Sequence, residues 1–306
     1  MVPEQIDGVT QALAWLTAEH NVLLAAVRWA ADAQFDVHAR DLPAAMVTYL
    51  DQQGHLRDYA ATQVTALAAA KRVGDLPGQA RARLDLAGAF GRLGEHGEAR
   101  DNFLRALSLY RDLGDCGGQG RARLSLGWVL NGTSEHAQAL AHCQDALELF
   151  RASDEPVWQA RALGAVGWCH TLLGDHTRAI AVCQEAVGLH RELGDKLGEA
   201  AAWESLGDAC HHLGQHRKAL ACFRRSALLY AGLGEHFYNA EALTRIGDTY
   251  RAAGDLPAAL DAWQQALAIL EYHHLPTARE LRAKLIAVGS SAATAEARAR
   301  SVRLDQ

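Results

Sequence analysis

Proline is scarce in this chain, with six residues among 306, and no apolar stretch approaches the ~20 residues that a membrane-spanning helix requires. Because proline interrupts helices and alanine favours them, a chain poor in the first and rich in the second is expected to be helical throughout. The first residues, Met1 to Gln5, lack the basic start and the apolar run of a signal peptide. We therefore expect a soluble, cytoplasmic protein.

An excess of positive charge is also missing. The chain has 30 basic and 36 acidic residues, for a formal net charge of −6. Such a balance creates no overall field that attracts nucleic acid or an anionic membrane, so we expect no direct nucleic acid contact and no membrane partner. The six cysteines are scattered through predicted helices of a chain too large to need disulfides, which indicates reduced thiols.

What the sequence has instead is a forty-residue repeat. Single alanines and the glycines of Leu/Val/Ile-Gly pairs recur at that interval, namely Ala99, Ala139, Ala179, Ala219 and Ala259, and Gly127, Gly167, Gly207 and Gly247. This register indicates one helical hairpin copied along an axis, because each copy leaves an apolar face that only its neighbour covers. We expect N-terminal capping helices over 1–37, a degenerate repeat over 38–78, five repeats over 79–278, and a C-terminal capping helix and tail over 279–306.

Individual repeats resemble the tetratricopeptide repeat (TPR). Residues 199–238 carry the family's bulky residue, Leu-Gly pair, Ala and aromatic, with Ser226 in place of the last Ala; these are Trp203, Leu206, Gly207, Ala219 and Phe223. The next repeat matches again at Ile246, Gly247, Tyr250, Ala259, Trp263 and Ala266. The resemblance implies an all-α, right-handed superhelical solenoid of helix-turn-helix repeats, here with a period of forty residues rather than about 34.

The N-terminal region is similar to a second family. The strings ALAWLTAEHNVLLAAV, from Ala12 to Val27, and LAAAKRVGD, from Leu67 to Asp75, resemble the repeat region of large actinobacterial transcriptional regulators of the antibiotic-regulatory, SARP/STAND-like type. In those regulators the repeats follow an NTP-hydrolysing switch domain. This sequence contains neither a Gly-x-x-x-x-Gly-Lys-Ser/Thr phosphate-binding motif nor a DNA-reading segment. The resemblance therefore implies the C-terminal sensor region alone.

The first helix of each tetratricopeptide hairpin lines a concave groove, and its exposed stripe follows a three-four-three spacing. Read this way, the groove is basic and aromatic in the early repeats and acidic in the late ones. The predicted binding residues are Arg81, Arg121, Trp128, Asn131, Arg161, Trp168, Thr171, Glu204, Asp208, His211, Asp248 and Arg251. Guanidinium groups backed by indoles hold anions and stack on apolar groups, so we expect a peptide, a protein segment or a small acidic ligand. The alternative is a set of intramolecular ion pairs, such as Arg81 with Asp85.

Four histidines also recur every forty residues, at the predicted start of the second helix of each hairpin: His96, His136, His176 and His216. Successive histidines of this series lie roughly 10 Å or more apart, because each belongs to a different hairpin. A zinc ion, in contrast, needs each ligand nitrogen within about 2.1 Å of the ion itself. One metal ion therefore cannot be shared along the series. We expect packing and capping histidines and no metal site, with pH sensing as a minor alternative.

Catalytic sequence motifs are missing, since there is no Gly-x-Ser-x-Gly, no His-Glu-x-x-His and no paired-carboxylate motif. We predict no catalytic residue, no cofactor and no enzymatic activity. The leading hypothesis is a sensor or interaction domain of an actinobacterial transcriptional regulator, in which a bound ligand or partner segment controls a switch domain outside this chain. The alternatives are a free-standing TPR scaffold or peptide receptor, and an enzyme or metalloprotein that uses the cysteines and histidines.

Overall fold

A computed structural model describes residues 8–273, 275 and 277–288, and all regular structure in these ranges is helical. The helices are α1 Val9–Ala18, α2 His20–Asp32, α3 Asp36–Gln52, α4 Leu56–Arg72, α5 Leu76–Arg92, α6 His96–Asp112, α7 Cys116–Gly132, α8 His136–Ala152, α9 Pro156–Leu172, α10 His176–Glu192, α11 Lys196–His212, α12 His216–Leu233, α13 His236–Ala252, α14 Leu256–Tyr272 and α15 at 278–288. No helix in this part of the chain is long and apolar enough to cross a membrane. The tail expected at 289–306 and residues 1–7 lie outside the described residues.

Consecutive helices form hairpins, with an A helix followed by a B helix. The pairs α5/α6, α7/α8, α11/α12 and α13/α14 each pack closely, and α9 contacts α10 where Gly167 meets Cys183. The hairpin α3/α4 precedes them in the stretch where the sequence predicts a degenerate repeat. The predicted all-α fold of repeated helical hairpins is confirmed.

The turns between helices set a period of twenty residues. From α3 to α14 every helix has 17 residues, apart from α12 with 18, and each turn contains one residue with positive φ. Glycine holds most of these positions because it adopts the left-handed conformation without strain, while Gln34, Ser134 and Asp154 hold three others. Asp75, Asp115 and Asp195 then cap the next helix by accepting a backbone N–H three residues on. Because the turns are this short, the residues by which each forty-residue repeat exceeds the usual length of about 34 lie in its helices.

Glycines of the A helices lie under large side chains of the B helices. A Cβ on Gly207 would be 2.7 Å from the Phe223 ring, and one on Gly247 would overlap the Trp263 ring. In the same register, Gly127 faces the sulfur atom of Cys143 and Gly167 faces that of Cys183. The glycine at these four positions is therefore required because the two helices of those hairpins approach too closely for a side chain there, whereas the α5/α6 hairpin has Ala87 at the corresponding position.

The four recurring histidines begin B helices, as predicted, and each contacts an A helix. His96 begins α6 with its ring against Gly132, the last residue of α7 in the following hairpin. His176 begins α10 and stacks on His212, the last residue of α11, with 5.0 Å between ring centroids. The other two contact residues of their own hairpins, His136 with Asn131 and His216 with His211. The forty-residue ladder of imidazoles is thus a packing feature of the helix starts.

Two compact units divide the chain, one ending at Trp158 and the other beginning at Gln159. In the first unit, α2 contributes Val27 to an apolar cluster that includes Tyr49 and Leu86. A second cluster of this unit lies around Phe103, between α5, α6 and α7. Helix α2 therefore packs on the first hairpin through this cluster, in the stretch where the sequence predicts a capping helix.

The second unit has its core in two clusters. One surrounds Phe223 between α11 and α12, and the other surrounds Trp263 between α13 and α14. Leu281 of α15 is buried in the Trp263 cluster, and Leu285 is partly buried against it. Helix α15 therefore packs on the last hairpin through these two leucines, while its Ala287 is exposed.

Candidate binding face

The A helices of neighbouring hairpins lie side by side. In the first unit the Trp128 ring of α7 lies against Gly91 of α5, and in the second unit side chains of α11 are hydrogen-bonded to side chains of α13. Two surfaces result, which are defined by the side chains between these helices. The first-unit face comprises Arg81, Asp85, Arg121, Trp128 and Asn131, and the second-unit face comprises Glu204, Asp208, His211, Glu241, Arg245, Asp248 and Arg251.

The arginines of the first-unit face are paired with acidic neighbours. Arg81 Nε lies 3.8 Å from Asp85 Oδ2, as the intramolecular alternative predicts, and Arg121 Nη1 lies 3.5 Å from Glu155 Oε2. The Arg121 guanidinium also lies 5.8 Å from the centre of the Trp158 ring. Both pairs have long N···O distances, and the arginine side chains are 65% and 31% exposed, so an incoming anion can reach and compete for either guanidinium.

Trp128 is the largest apolar group on the first-unit face. Its side chain is 55% exposed although its ring rests on Gly91, where a Cβ would be 2.8 Å away. Asn131, one turn further along α7, is already engaged, since its Oδ1 lies 3.1 Å from His136 Nδ1. Trp128 and Arg121 are seven positions apart, or about two helical turns, so both side chains lie on the same side of α7.

A pocket of about 330 Å³ adjoins the first-unit face between α3, α4 and α5. Arg40 lies in its wall and bridges two carboxylates, with Nε 2.7 Å from Asp41 Oδ1 and Nη1 2.7 Å from Asp75 Oδ2. Arg81 and Asp85 form another part of the wall. Burial raises the pKa of Asp85 to about 6, against the opposing effect of the Arg81 and Arg121 charges. The pocket therefore has an ionisable wall that changes charge near neutral pH.

Helix α9 presents three predicted binding residues with different exposure. Arg161 is exposed and Trp168 is half-buried. Thr171 is buried, and its hydroxyl donates to the Gly167 carbonyl oxygen at 3.2 Å. The expectation of an exposed Thr171 is wrong, because packing around α9 leaves only 6% of the residue exposed.

Glu204, Asp208 and Arg245 are the charged centre of the second-unit face. Arg245 Nη1 lies 2.7 Å from Asp208 Oδ1, and its Nε lies 3.7 Å from Glu204 Oε1. The expectation that Asp208 is exposed is wrong, because the neighbouring A helix covers it and supplies this arginine. Burial raises the pKa of Glu204 to about 7 and the pKa of Asp208 to about 6, although the Arg245 charge opposes both shifts.

The remaining predicted residues of the second-unit face are held by specific contacts. His211 Nδ1 lies 2.9 Å from Thr249 Oγ1, and Asp248 accepts the indole N–H of Trp263 at 3.1 Å and pairs with Lys284. The exposed Arg251 lies over the Trp263 ring, 5.7 Å from its centre. A pocket of about 210 Å³ lies between α11 and α13 at His211 and Asp248. The acidic character predicted for the late repeats is present, but most of its carboxylates have partners.

Sequence reasoning missed two members of this second-unit network, Arg245 and Lys284. Arg245 lies 37 positions after Asp208, so it occupies the next A helix, a little less than one repeat later. A search for opposite charges separated by about one repeat period finds this pair. Lys284 lies beyond the last repeat, where the forty-residue register gives no position for it.

Glu204→Gln is expected to raise the free energy of unfolding by about 1–3 kcal/mol at about pH 8 and to leave it unchanged at about pH 4. The folded-state pKa of Glu204 is raised above its unfolded value, so the fold favours the neutral carboxyl and loses stability as the pH rises through about 7. Glutamine is neutral at every pH and still accepts the Tyr230 hydroxyl, which lies 3.4 Å from Glu204 Oε2. Urea unfolding at both pH values measures the difference, and the exposed Glu192→Gln serves as the control. Equal or lower stability of Glu204→Gln at the higher pH contradicts the prediction.

Among known protein families, the one described as "Tetratricopeptide repeat" matches residues 118–192 and 198–271. No curated protein sequence matches the chain. The match therefore covers nearly all of the helices from α7 to α14. These helices carry Arg121 and Trp128 of the first-unit face and all of the second-unit face.

Several solved structures share the fold. BtubC (BKLC) from P. vanneervenii is 17% identical, with a TM-score of 0.62 over 72% of this chain and 92% of that protein. A Rap protein in complex with Competence and Sporulation Factor is also 17% identical, with a TM-score of 0.62 over 83% of this chain and 76% of its own. The STAND protein PH0952 from Pyrococcus horikoshii, which has a tetratricopeptide repeat sensor, is 14% identical with a TM-score of 0.55; the match covers 94% of this chain and 53% of that protein. At these identities the similarity establishes the fold alone.

Proposed function

We propose that this chain, which matches the tetratricopeptide repeat family over residues 118–192 and 198–271, is a non-catalytic sensor or interaction domain of a bacterial transcriptional regulator. A ligand or partner segment binds to its A-helix surfaces and thereby controls a switch domain that lies outside this chain. The N-terminal resemblance to actinobacterial regulators supports this role, and so does the fold shared with the repeat-sensor protein PH0952. The fold similarity supplies a precedent for the architecture, while the binding chemistry rests on the residues below.

The observation that carries the proposal is the first-unit face. An exposed indole, Trp128, lies on the same side of α7 as Arg121, and the mostly exposed Arg81 lies on the neighbouring A helix. Exposed tryptophan and arginine side chains are the types that dominate binding energy at protein interfaces. Their intramolecular ion pairs are weak, so replacing them with a better anion is favourable.

The chemistry of this face selects the ligand. A carboxylate or phosphate group would replace Asp85 or Glu155 at an arginine, and an aromatic or aliphatic group would cover the Trp128 ring. A peptide or protein segment with an acidic residue beside an apolar one meets both requirements, as does a small acidic metabolite with an apolar body. Binding across two A helices would favour one spacing of these helices over others, which is how the ligand would shift the regulator's equilibrium.

A second candidate is a free-standing TPR scaffold or peptide receptor. The Rap protein of similar fold, solved in complex with Competence and Sporulation Factor, gives this alternative a structural precedent. The gene distinguishes the two candidates. A reading frame that continues upstream into a phosphate-binding loop supports the regulator, whereas a frame that begins at Met1 supports the scaffold.

Native mass spectrometry of the purified chain, before and after incubation with extract from its host, tests binding directly. We expect an added mass in the wild type, and we expect Arg121→Met combined with Trp128→Ala to weaken binding of that ligand by about 2–5 kcal/mol. The melting temperature should remain nearly unchanged, because the Arg121 pair lies on the surface and Trp128 is half exposed.

Trp29→Ala is the matched control, because Trp29 is a comparably exposed indole on α2, away from the first-unit face. Its substitution should leave the added mass in place. Equal retention by the wild type, the control and the double variant would show that the ligand binds elsewhere. A loss of stability that matches the loss of binding would assign the arginine a structural role.

A further inference from the structure

Two imidazoles and one carboxylate converge at the N-terminal end of the first unit. His20 is the first residue of α2, His55 precedes the first residue of α4, and Asp58 lies in the first turn of α4. One ligand atom from each of these side chains lies within 4.8 Å of the other two, and His20 Nε2 is 3.2 Å from Asp58 Oδ2. These residues are separate from the histidine ladder and from both A-helix faces.

The spacing of these atoms suits a metal ion. Bonds of about 2.0–2.1 Å to a tetrahedral ion place neighbouring ligand atoms about 3.3 Å apart. His20 and Asp58 already have this separation, and His55 lies close, with its ring centre 4.3 Å from that of His20. The ligand atoms lie within 4.8 Å of one another, so a side-chain rotation of His55 that brings its nitrogen inward by about 1.5 Å or less completes a three-ligand set.

An outer contact holds the central ligand in position. The Tyr49 hydroxyl lies 3.2 Å from His20 Nδ1, and Tyr49 itself is only 2% exposed. When Nδ1–H donates to this buried oxygen, the lone pair of Nε2 is directed towards Asp58, which is the arrangement that metal-binding histidines show in proteins. The side chain of His20 is 15% exposed and that of Asp58 is 42% exposed, so an ion has access and water can complete its coordination.

We propose that His20, His55 and Asp58 bind one divalent transition metal ion of the zinc type. Two imidazoles and a single carboxylate favour Zn²⁺, Co²⁺ or Ni²⁺, whereas Mg²⁺ and Ca²⁺ prefer sets made of oxygen ligands. The ion links α2 to α4 across 35 positions of sequence and so ties the capping helix to the first hairpin. Because binding requires the folded arrangement, the ion stabilises this end of the unit.

Isothermal titration calorimetry of the metal-free full chain with Zn²⁺ tests the proposal. We expect one tight site, with affinity reduced about tenfold or more by His55→Asn and by Asp58→Asn. The control is His38→Asn, since His38 is an exposed histidine on α3 of the same unit and its loss should leave the affinity unchanged. Unfolding temperatures measured in chelator establish that each variant folds, and only the wild type and the control should gain stability from Zn²⁺.

Imidazole NMR signals of the wild type provide a readout that needs no substitution. One equivalent of Zn²⁺ should shift the signals of His20 and His55 and leave the other imidazoles in place. The proposal is overturned if calorimetry detects no site, if both variants bind Zn²⁺ as the wild type does, or if the shifted signals belong to other histidines. In any of these cases the His20–Asp58 contact is a hydrogen bond between two helix starts and nothing more.

Discussion

Replacing Arg245 with methionine is expected to lower the free energy of unfolding by about 3–5 kcal/mol at about pH 8. Methionine fills a similar volume, but it leaves the Asp208 and Glu204 carboxylates of α11 without the cation that now lies 2.7 Å and 3.7 Å from them. Both carboxyls are largely buried, and an unpaired buried charge is far more costly than an unpaired exposed one. The second unit should therefore be the part that loses stability.

The pH dependence of this loss follows from the same carboxyls. Burial has already raised their pKa values to about 7 for Glu204 and about 6 for Asp208, and removal of the arginine raises both further. A carboxyl with a raised folded-state pKa contributes its full stability at low pH and loses it as the pH rises. The difference between variant and wild type should thus shrink towards about pH 4, where both carboxyls are protonated in the folded state of either protein.

Urea unfolding followed by circular dichroism at the two pH values measures both effects. Arg178→Met is the control, because Arg178 forms an exposed pair with Asp175 at 3.3 Å in the same unit. Its removal should change stability by less than about 0.5 kcal/mol. A loss for Arg245→Met that is small, or that is equal at both pH values, would show that the carboxylates do not depend on this arginine.

Gly247→Ala is expected to destabilise the fold by about 2–3 kcal/mol, although alanine is the better helix former. The added methyl group would overlap the Trp263 ring, which is fully buried. That ring has little freedom to move, since its N–H donates to the Thr244 carbonyl oxygen at 3.2 Å and to Asp248 at 3.1 Å. Thermal unfolding measures the cost.

The chain offers a matched control for this substitution. Gly188 lies inside α10, and a Cβ at that position has no atom within 4 Å, so Gly188→Ala should stabilise the protein by about 0.5–1 kcal/mol. Combining Gly247→Ala with Trp263→Phe makes room for the methyl group, so the double variant should lose less stability than the sum of the single variants. Strict additivity, or a neutral Gly247→Ala, would mean that the close approach of α13 and α14 is not what requires glycine.

Much of the fold follows from the sequence because its causes lie within one repeat. The glycine of the A helix, the large side chain of the B helix and the glycine of the turn are all separated by short, fixed distances along the chain. Gly207 with Phe223 and Gly247 with Trp263 were therefore accessible to pattern reasoning, and so was the packing role of His176. The twenty-residue turn period belongs to the same class of local signal.

The candidate faces were harder to predict because exposure depends on neighbours. Helix periodicity places Asp208 on the outer stripe of α11, but the side chain of Arg245, from the next hairpin, lies over it. Helix periodicity likewise places Thr171 on the exposed stripe of α9, whereas the residue is buried. His20 and His55 lie outside the clear repeats, in segments that share no register, and only the packing of α2 against α4 brings them together.

The fit between an A-helix glycine and a B-helix side chain has a consequence for how such a chain evolves. Each fitted pair lies inside one hairpin, and successive glycines are forty residues apart from Gly127 to Gly247. A tandem duplication or deletion of one period in the gene would therefore carry both partners together and leave every remaining pair intact. The partner differs in size among these repeats, as Cys143, Phe223 and Trp263 illustrate, while the four positions keep glycine and the preceding repeat has Ala87. The contacts inside one hairpin therefore place no constraint on how many hairpins the chain has.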